Sequence, residues 1–262
     1  MSGRWLSVSP RGQRAASRLL QVVIAAALVG GLLTRNLSVV VNATLSLTLT
    51  FVPAILRRDY RIELDAGVTL WITLALCLHS LGMLGIYAGV WWYDHVTHTL
   101  SATIVAAAGY VVARAADETS EAIYLPPRFM FVFVLLFTLG LGVIWEVVEF
   151  SARLGAELLG LDPVLVQYGL EDTLLDLLFD TLGAVLVAAF GTGLIADVVV
   201  SVADRFAERG ERRATDGIGR ARAGVAGLER VVRTGPTNAR VAWLLTGGLG
   251  LAVVVGLVAG VV

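Results

Sequence analysis

Lysine is absent from the 262 residues, and all twenty basic side chains are arginines. Charge of either sign is scarce, at 16% of the chain, against roughly 25% in an ordinary soluble domain. The single cysteine, Cys77, excludes an internal disulfide and any cysteine-rich metal centre, and it lies in an apolar run where a small core residue is expected. There is no G-x-S-x-G nucleophile elbow and no phosphate-cradling glycine loop. What fills the chain instead is apolar: 57% of residues are hydrophobic and the mean hydropathy is +0.80. This is the composition of a membrane protein.

Apolar runs of about 17 to 25 residues, enough to cross roughly 30 Å of hydrocarbon, fall at about 18–34, 37–56, 67–88, 94–113, 128–150, 172–200 and 241–262. They predict an all-α polytopic transmembrane bundle of about seven spans. Arg4, Arg11, Arg14 and Arg18 precede the first run as they would in a signal peptide. That run ends in GGLLTRN without a small-residue cleavage site, so it reads as a retained helix. Residues 1–17 are then a cytoplasmic N-terminal segment, 18–200 a six-span core, 201–240 an Arg-rich cytoplasmic segment and 241–262 a last span.

The arginines set the orientation, because cytoplasmic loops retain positive charge. With the N-terminus inside, the inner segments hold the four already named, then Arg57, Arg58, Arg61, Arg114 and Arg128, then nine between Arg205 and Arg240; outside fall only Arg35 and Arg153. The chain is therefore expected in the cytoplasmic membrane. Within 201–240, the apolar residues Ile218, Val225, Leu228 and Val232 are spaced for a helix lying on the inner leaflet near anionic head groups, or for a solvated linker helix. Interleaved acidic residues and the lack of aromatic stacking platforms argue against nucleic acid as a partner.

Three spans carry ionisable residues near one end: WWYDHVTHTLS opens the fourth, WEVVEF closes the fifth and EDTLLDLLFDTLGA opens the sixth. On this topology all three polar ends meet at the outer face, where Trp91, Trp92, Tyr93 and Trp145 sit at interfacial level. Residues three or four apart share a helix face. Asp94, His98 and Ser101 form one stripe with His95 beside it, Glu146 and Glu149 another, and Asp172, Asp176 and Asp180 a third. The result is an acidic funnel that opens outward. Residues 151–171, broken at Pro163, are expected to cover it as a lid or to serve as an interfacial connector.

A charge at mid-membrane costs at least about 2.5 to 3.5 kcal/mol, so the carboxylates must be protonated, paired with histidine or bound to a cation. Imidazole and carboxylate together suit Zn, Mn or Fe; an all-carboxylate subset suits Mg or Ca. The expected metal-binding set is Asp94, His95, His98, Glu146, Glu149, Asp176 and Asp180, with Glu149 and Asp172 as candidate catalytic groups. Helix capping and helix-to-helix hydrogen bonding are the plainer explanations for any one of these residues. His79, midway along the third span, faces the same cavity or bonds a neighbouring helix.

LTFVPAILRRDYRIEL, WWYDHVTHTLSA, IWEVVEF and QYGLEDTLLDLLFDTLGA, in this order over about residues 45–195, resemble the YjdF-like inner-membrane proteins and, more distantly, VanZ-like membrane proteins. The resemblance implies a multi-pass helical protein whose functional residues are Asp94, His98, Glu146, Glu149, Asp172, Asp176 and Asp180. It implies no particular reaction. Three functional expectations follow: a metal-dependent membrane enzyme acting on a lipid head group or lipid-linked substrate, a cation- or proton-coupled transporter, and a structural or sensory protein whose polar cluster fixes packing.

Overall fold

The computed structural model of the chain describes residues 9–165, 167–191, 193 and 195–234. The expected last span, 241–262, and residues 235–240 of the Arg-rich segment lie outside the described residues. Among the described residues every regular element is helical.

Helix α1, Pro10–Thr34, starts where the Ser9 hydroxyl accepts from the Gly12 N–H and ends at Arg35, whose backbone is left-handed (φ 55°). Asn36 caps α2, Leu37–Leu49, by accepting from the Val39 N–H at 3.1 Å. Pro53, which has no N–H to give to the preceding turn, marks the passage to α3, Val52–Asp59. Asp65 caps α4, Ala66–Leu81. A wide turn over Gly82–Ile86, broken at Gly85 (φ 105°), leads to the single turn α5, Tyr87–Gly89. One extended residue, Val90, separates it from α6, Trp91–Thr119. Helices α7, Pro127–Leu159, and α8, Leu170–Leu186, follow, α8 widening over Val187–Gly191. Helix α9 is Ala196–Thr234.

Among the described residues, six segments are long and apolar enough to cross a membrane: Pro10–Thr34, Leu37–Asp59, Ala66–Gly89, Trp91–Thr119, Pro127–Leu159 and Leu170–Phe190. Two expected boundaries move. Helices α6 and α7 outrun the apolar stretches 94–113 and 128–150, because their polar ends are held by pairs one turn apart, Arg114–Glu118 at 3.0 Å and Arg153–Glu157 at 2.6 Å. The run 172–200 is not one helix. Glycines at 191 and 193 interrupt it, and Ala196 opens α9. The chain forms two compact units, the first reaching Ala203 and holding the six spans, the second starting at Asp204 within α9.

The first unit exposes large apolar side chains such as Leu33, Leu136, Leu178 and Val22, while its interior is rich in Ala, Ser and Thr, with Ile24, Val39 and Val134 among the buried aliphatics, and also holds Asn42, Glu146, Asp176 and Asp180. Such an interior, in which small residues let helices approach and polar groups bond across them, is that of a bundle whose outer solvent is lipid. The protein is thus a polytopic helical membrane protein.

Helix α8 packs chiefly on α6 and α7, and α1 on α4 and α2. The α6–α8 approach depends on Gly183, where a Cβ would sit 2.6 Å from the Thr99 carbonyl oxygen and 2.8 Å from the Ala102 Cβ. Backbone cannot yield as a flexible side-chain tip can, so Gly183→Ala should lower stability by about 1 to 3 kcal/mol. Gly30→Ala, which meets nothing within 4 Å, should be neutral or slightly stabilising. Thermal unfolding of both variants in detergent checks the contrast.

Candidate functional site

Close packing of α8 on α6 sets Asp176 and Asp180 beside His98. On α7, Gly142 leaves the space that the Asp180 carboxylate fills, since a Cβ at 142 would collide with Asp180 Oδ2. His98 is surrounded on both ring nitrogens. Its Nδ1 lies 3.2 Å from Asp180 Oδ1, and its Nε2 lies 3.7 Å from Asp94 Oδ1 and 3.8 Å from Asp176 Oδ1. A carboxylate only accepts, so Nδ1–H donates to Asp180. In the neutral imidazole this leaves the Nε2 lone pair facing Asp94 and Asp176, and in the imidazolium an Nε2–H faces them instead. One ligand atom each from Asp94, His98 and Asp176 falls within 4.8 Å of the others. Ligands about 2.0 to 2.2 Å from a tetrahedral zinc stand about 3.4 Å apart, so the two distances from Nε2 are a few tenths of an ångström beyond a closed site. Asp176 is 1% exposed, and its Oδ1 has no hydrogen-bond partner among the described residues.

The other predicted residues are placed differently. Asp180 sits behind His98, in the position of a carboxylate that orients a histidine. Glu146 is buried and accepts from the Thr173 hydroxyl at 2.8 Å through Oε2, while Oε1 has no partner among the described residues. Glu149, also buried, makes no hydrogen bond or ion pair among the described residues, and it lines the same cavity as Asp94, His98 and Asp180. His95 is not brought into the cluster. Its ring lies flat on Phe179 with centroids 4.5 Å apart, and Trp91 meets it edge-on; a position one residue from Asp94 is turned about 100° around the helix. Asp172 is not brought there either, because its Oδ2 accepts from the Tyr168 N–H at 3.0 Å and fixes the entry to α8. Of the four aromatic residues expected at the interface, Tyr93 turns inward, buried, and donates to the Leu78 carbonyl.

The cavity has a volume of about 1290 Å³ and runs between α2, α4, α6 and α7. Asp94, His98, Ser101, Glu149 and Asp180 form its polar wall, and Leu161, Asp162, Pro163, Leu165 and Tyr168 roof it. The roof segment is bounded by Gly160 and Gly169, both at positive φ (65° and 124°). Partial burial and the carboxylates of Asp94, Asp172 and Glu149 raise the Tyr168 phenol above its ordinary range, so it stays a proton donor at neutral pH.

Sequence reasoning missed the group that fastens this roof. The Val164 carbonyl accepts from the Ser38 hydroxyl at 2.7 Å and from Asn42 Nδ2 at 2.9 Å. Asn42 Nδ2 also reaches the Ser38 carbonyl, which leaves Oδ1 to accept from His79 Nε2–H at 3.1 Å. His79 Nδ1 then accepts from the Tyr87 hydroxyl at 3.0 Å. Every donor meets an acceptor with His79 neutral, so both of its nitrogens are taken and it serves the roof. The available signal was Asn42 itself, an amide in the middle of an apolar run, where a buried polar group must find partners.

Comparison with known proteins assigns the chain to a family. The chain matches the family described as "Predicted membrane protein (DUF2238)" over residues 16–197, and it belongs to that family. That description is consistent with the YjdF-like resemblance. An uncharacterized protein of Thermotoga maritima is 27% identical over 145 residues, an alignment that takes in 51% of this chain and 66% of the relative. The chain thus spans about two thirds of that relative's length. No solved structure matches significantly.

Asn42→Ala removes the two hydrogen bonds that Nδ2 donates and the one that Oδ1 accepts. It should cost about 1 to 3 kcal/mol, whereas Ser38→Ala should cost less because Val164 keeps its bond to Asn42. Unfolding midpoints of the two variants in detergent test the order.

Proposed function

We propose that this protein is a membrane-embedded hydrolase that holds one divalent cation on Asp94, His98 and Asp176 and acts on a lipid head group or lipid-linked substrate. The observation that carries the reading is Asp176 Oδ1, buried without a hydrogen-bond partner among the described residues and aimed at the one nitrogen of His98 that Asp180 leaves free. Two carboxylate oxygens and a lone pair facing one another repel unless a proton or a metal cation lies among them, and separations of 3.7 and 3.8 Å are too long for a proton to bridge as a hydrogen bond. One imidazole and two carboxylates suit Zn, Mn or Fe, with Mg less favoured by the nitrogen ligand.

A cation bound there supplies Lewis acidity and lowers the proton affinity of water at neutral pH. The chain's own residues do the rest. Asp180 holds His98 in the tautomer that keeps Nε2 free. Glu149 takes a proton from the attacking water as the new bond to oxygen forms, and returns it to the leaving oxygen as the scissile bond breaks. Tyr168, at the roof, donates a hydrogen bond to developing negative charge. The arginine distribution supports a location in the cytoplasmic membrane with the N-terminus inside, so the cavity faces outward. The Arg-rich helix α9 then meets anionic head groups of the inner leaflet.

Purified wild-type protein should carry about one equivalent of metal, and His98→Ala and Asp176→Asn should carry little. Metal retention should fall as the pH drops, because protons compete for His98 Nε2 and for both carboxylates. Wild type without stoichiometric metal by elemental analysis would sink the reading. Cys77 is 2% exposed, so a cysteine placed at exposed Asp162 reports topology alone. It should react in intact cells with a membrane-impermeant maleimide, and labelling only after lysis would reverse the orientation.

A further inference from the structure

The cavity is larger than the roughly 300 to 1,000 Å³ of an ordinary small-molecule site, and much of its wall is apolar, including Leu45 and Leu49 on α2, Ile104 and Val105 on α6, and Leu141 and Val148 on α7. Its shape fits an amphiphile whose tail lies against these side chains while its head meets Asp94 and His98. Those residues say where the head lies but not what it is.

Arg35 supplies the missing discrimination. Among the described residues lining the cavity it is the one arginine. It is exposed and makes no ion pair among the described residues, even though Asp162 of the roof lines the same cavity. Arg153, the other arginine expected on the outer side, is already paired with Glu157 and lies over the Phe150 ring. Arg35 also occupies a left-handed backbone position (φ 55°) at the end of α1, where Gly or Asn would fit with less strain. Neither the expected topology nor the left-handed backbone calls for an arginine there, and no partner among the described residues accounts for its side chain.

We infer that the ligand of this cavity is a phosphoryl-bearing lipid, gripped at its head group by Arg35 on one side and by the cation at Asp94, His98 and Asp176 on the other. A guanidinium fork binds two phosphoryl oxygens at once. The cation takes a third and offsets the repulsion that Asp94, Glu149 and Asp180 exert on any anion. A neutral ester head gains nothing from Arg35, and an amine-headed amphiphile is repelled by it. The inference rests on the metal reading above for its second positive charge.

The test uses the purified full chain in a neutral detergent. Binding is measured for a short-chain phosphatidic acid, the diacylglycerol of the same chain length, an amine-headed amphiphile of equal length and inorganic phosphate, each with zinc and with a chelator. Phosphatidic acid should bind at least about tenfold tighter than diacylglycerol, less tightly with chelator, and much tighter than inorganic phosphate. Arg35→Ala should erase the preference over diacylglycerol, and Arg35→Lys should keep part of it, while metal content stays at the wild-type value in both.

Equal binding of phosphatidic acid and diacylglycerol by wild type overturns the inference, and so does a preference for the amine head or an undiminished preference in Arg35→Ala. Inorganic phosphate binding as tightly as the lipid overturns the lipid part. The wild-type arms decide the matter even if a variant fails to fold. A protein without metal that still shows the Arg35-dependent preference refutes the metal reading and the cation's share of the grip, and upholds the phosphoryl-lipid ligand and Arg35. A full metal complement with no phosphate preference does the reverse.

Discussion

A histidine held between carboxylates on both of its nitrogens is the interaction around which the bundle is organised. His98 on α6 cannot face Asp94, Asp176 and Asp180 at 3.2 to 3.8 Å unless α8 lies close along α6. In a lipid environment the cost of separating such groups unpaired is high, so the cluster ties the helices together as firmly as it divides its own two sides. The Asp180 side is a completed hydrogen bond. The Asp94–Asp176 side is open, and that asymmetry makes one nitrogen a candidate ligand while the other is committed to orientation.

The packing that permits this is made mostly of absences. Gly183 removes a Cβ from the α6–α8 contact, and Gly142 removes one where the Asp180 carboxylate must lie. Small residues at a membrane interface usually serve association alone. Here they also fix how deep the acidic side chains stand and which of them can reach the histidine. The same close approach leaves the space between α2, α4, α6 and α7 unfilled, so cluster and cavity follow from one arrangement.

Much of this was legible in the sequence where a pattern has a single physical meaning. Asp94, His98 and Ser101, at steps of four and three, line one cavity wall, because helical geometry leaves little choice about which face they share. Six long apolar runs became six candidate spans because hydrocarbon thickness sets a minimum length. Periodicity is poorer at separating neighbours on a turning stripe. Asp172, expected as a catalytic group, and Asp176, expected as a ligand, share one stripe, yet the first secures the Tyr168 backbone and only the second enters the cluster. His95 read like His98 until the ring of Phe179 on the next helix captured it. Ser38 and Asn42 lie more than 120 residues from Val164 in sequence, and no local pattern announces such a meeting. Hydropathy also joined α8 to the start of α9 through FGTGL, where the glycines, not polarity, end the helix.

The roof over the cavity is fastened through the carbonyl oxygen of Val164, a group that every amino acid possesses. Its latch therefore constrains the path of the segment between Gly160 and Gly169 without calling on the side chain of Val164. A loop anchored in this way can change what it presents to an incoming ligand, residue by residue, without loosening its hold on α2. A chain that keeps Ser38, Asn42 and His79 can therefore vary the rest of this segment behind the same lock.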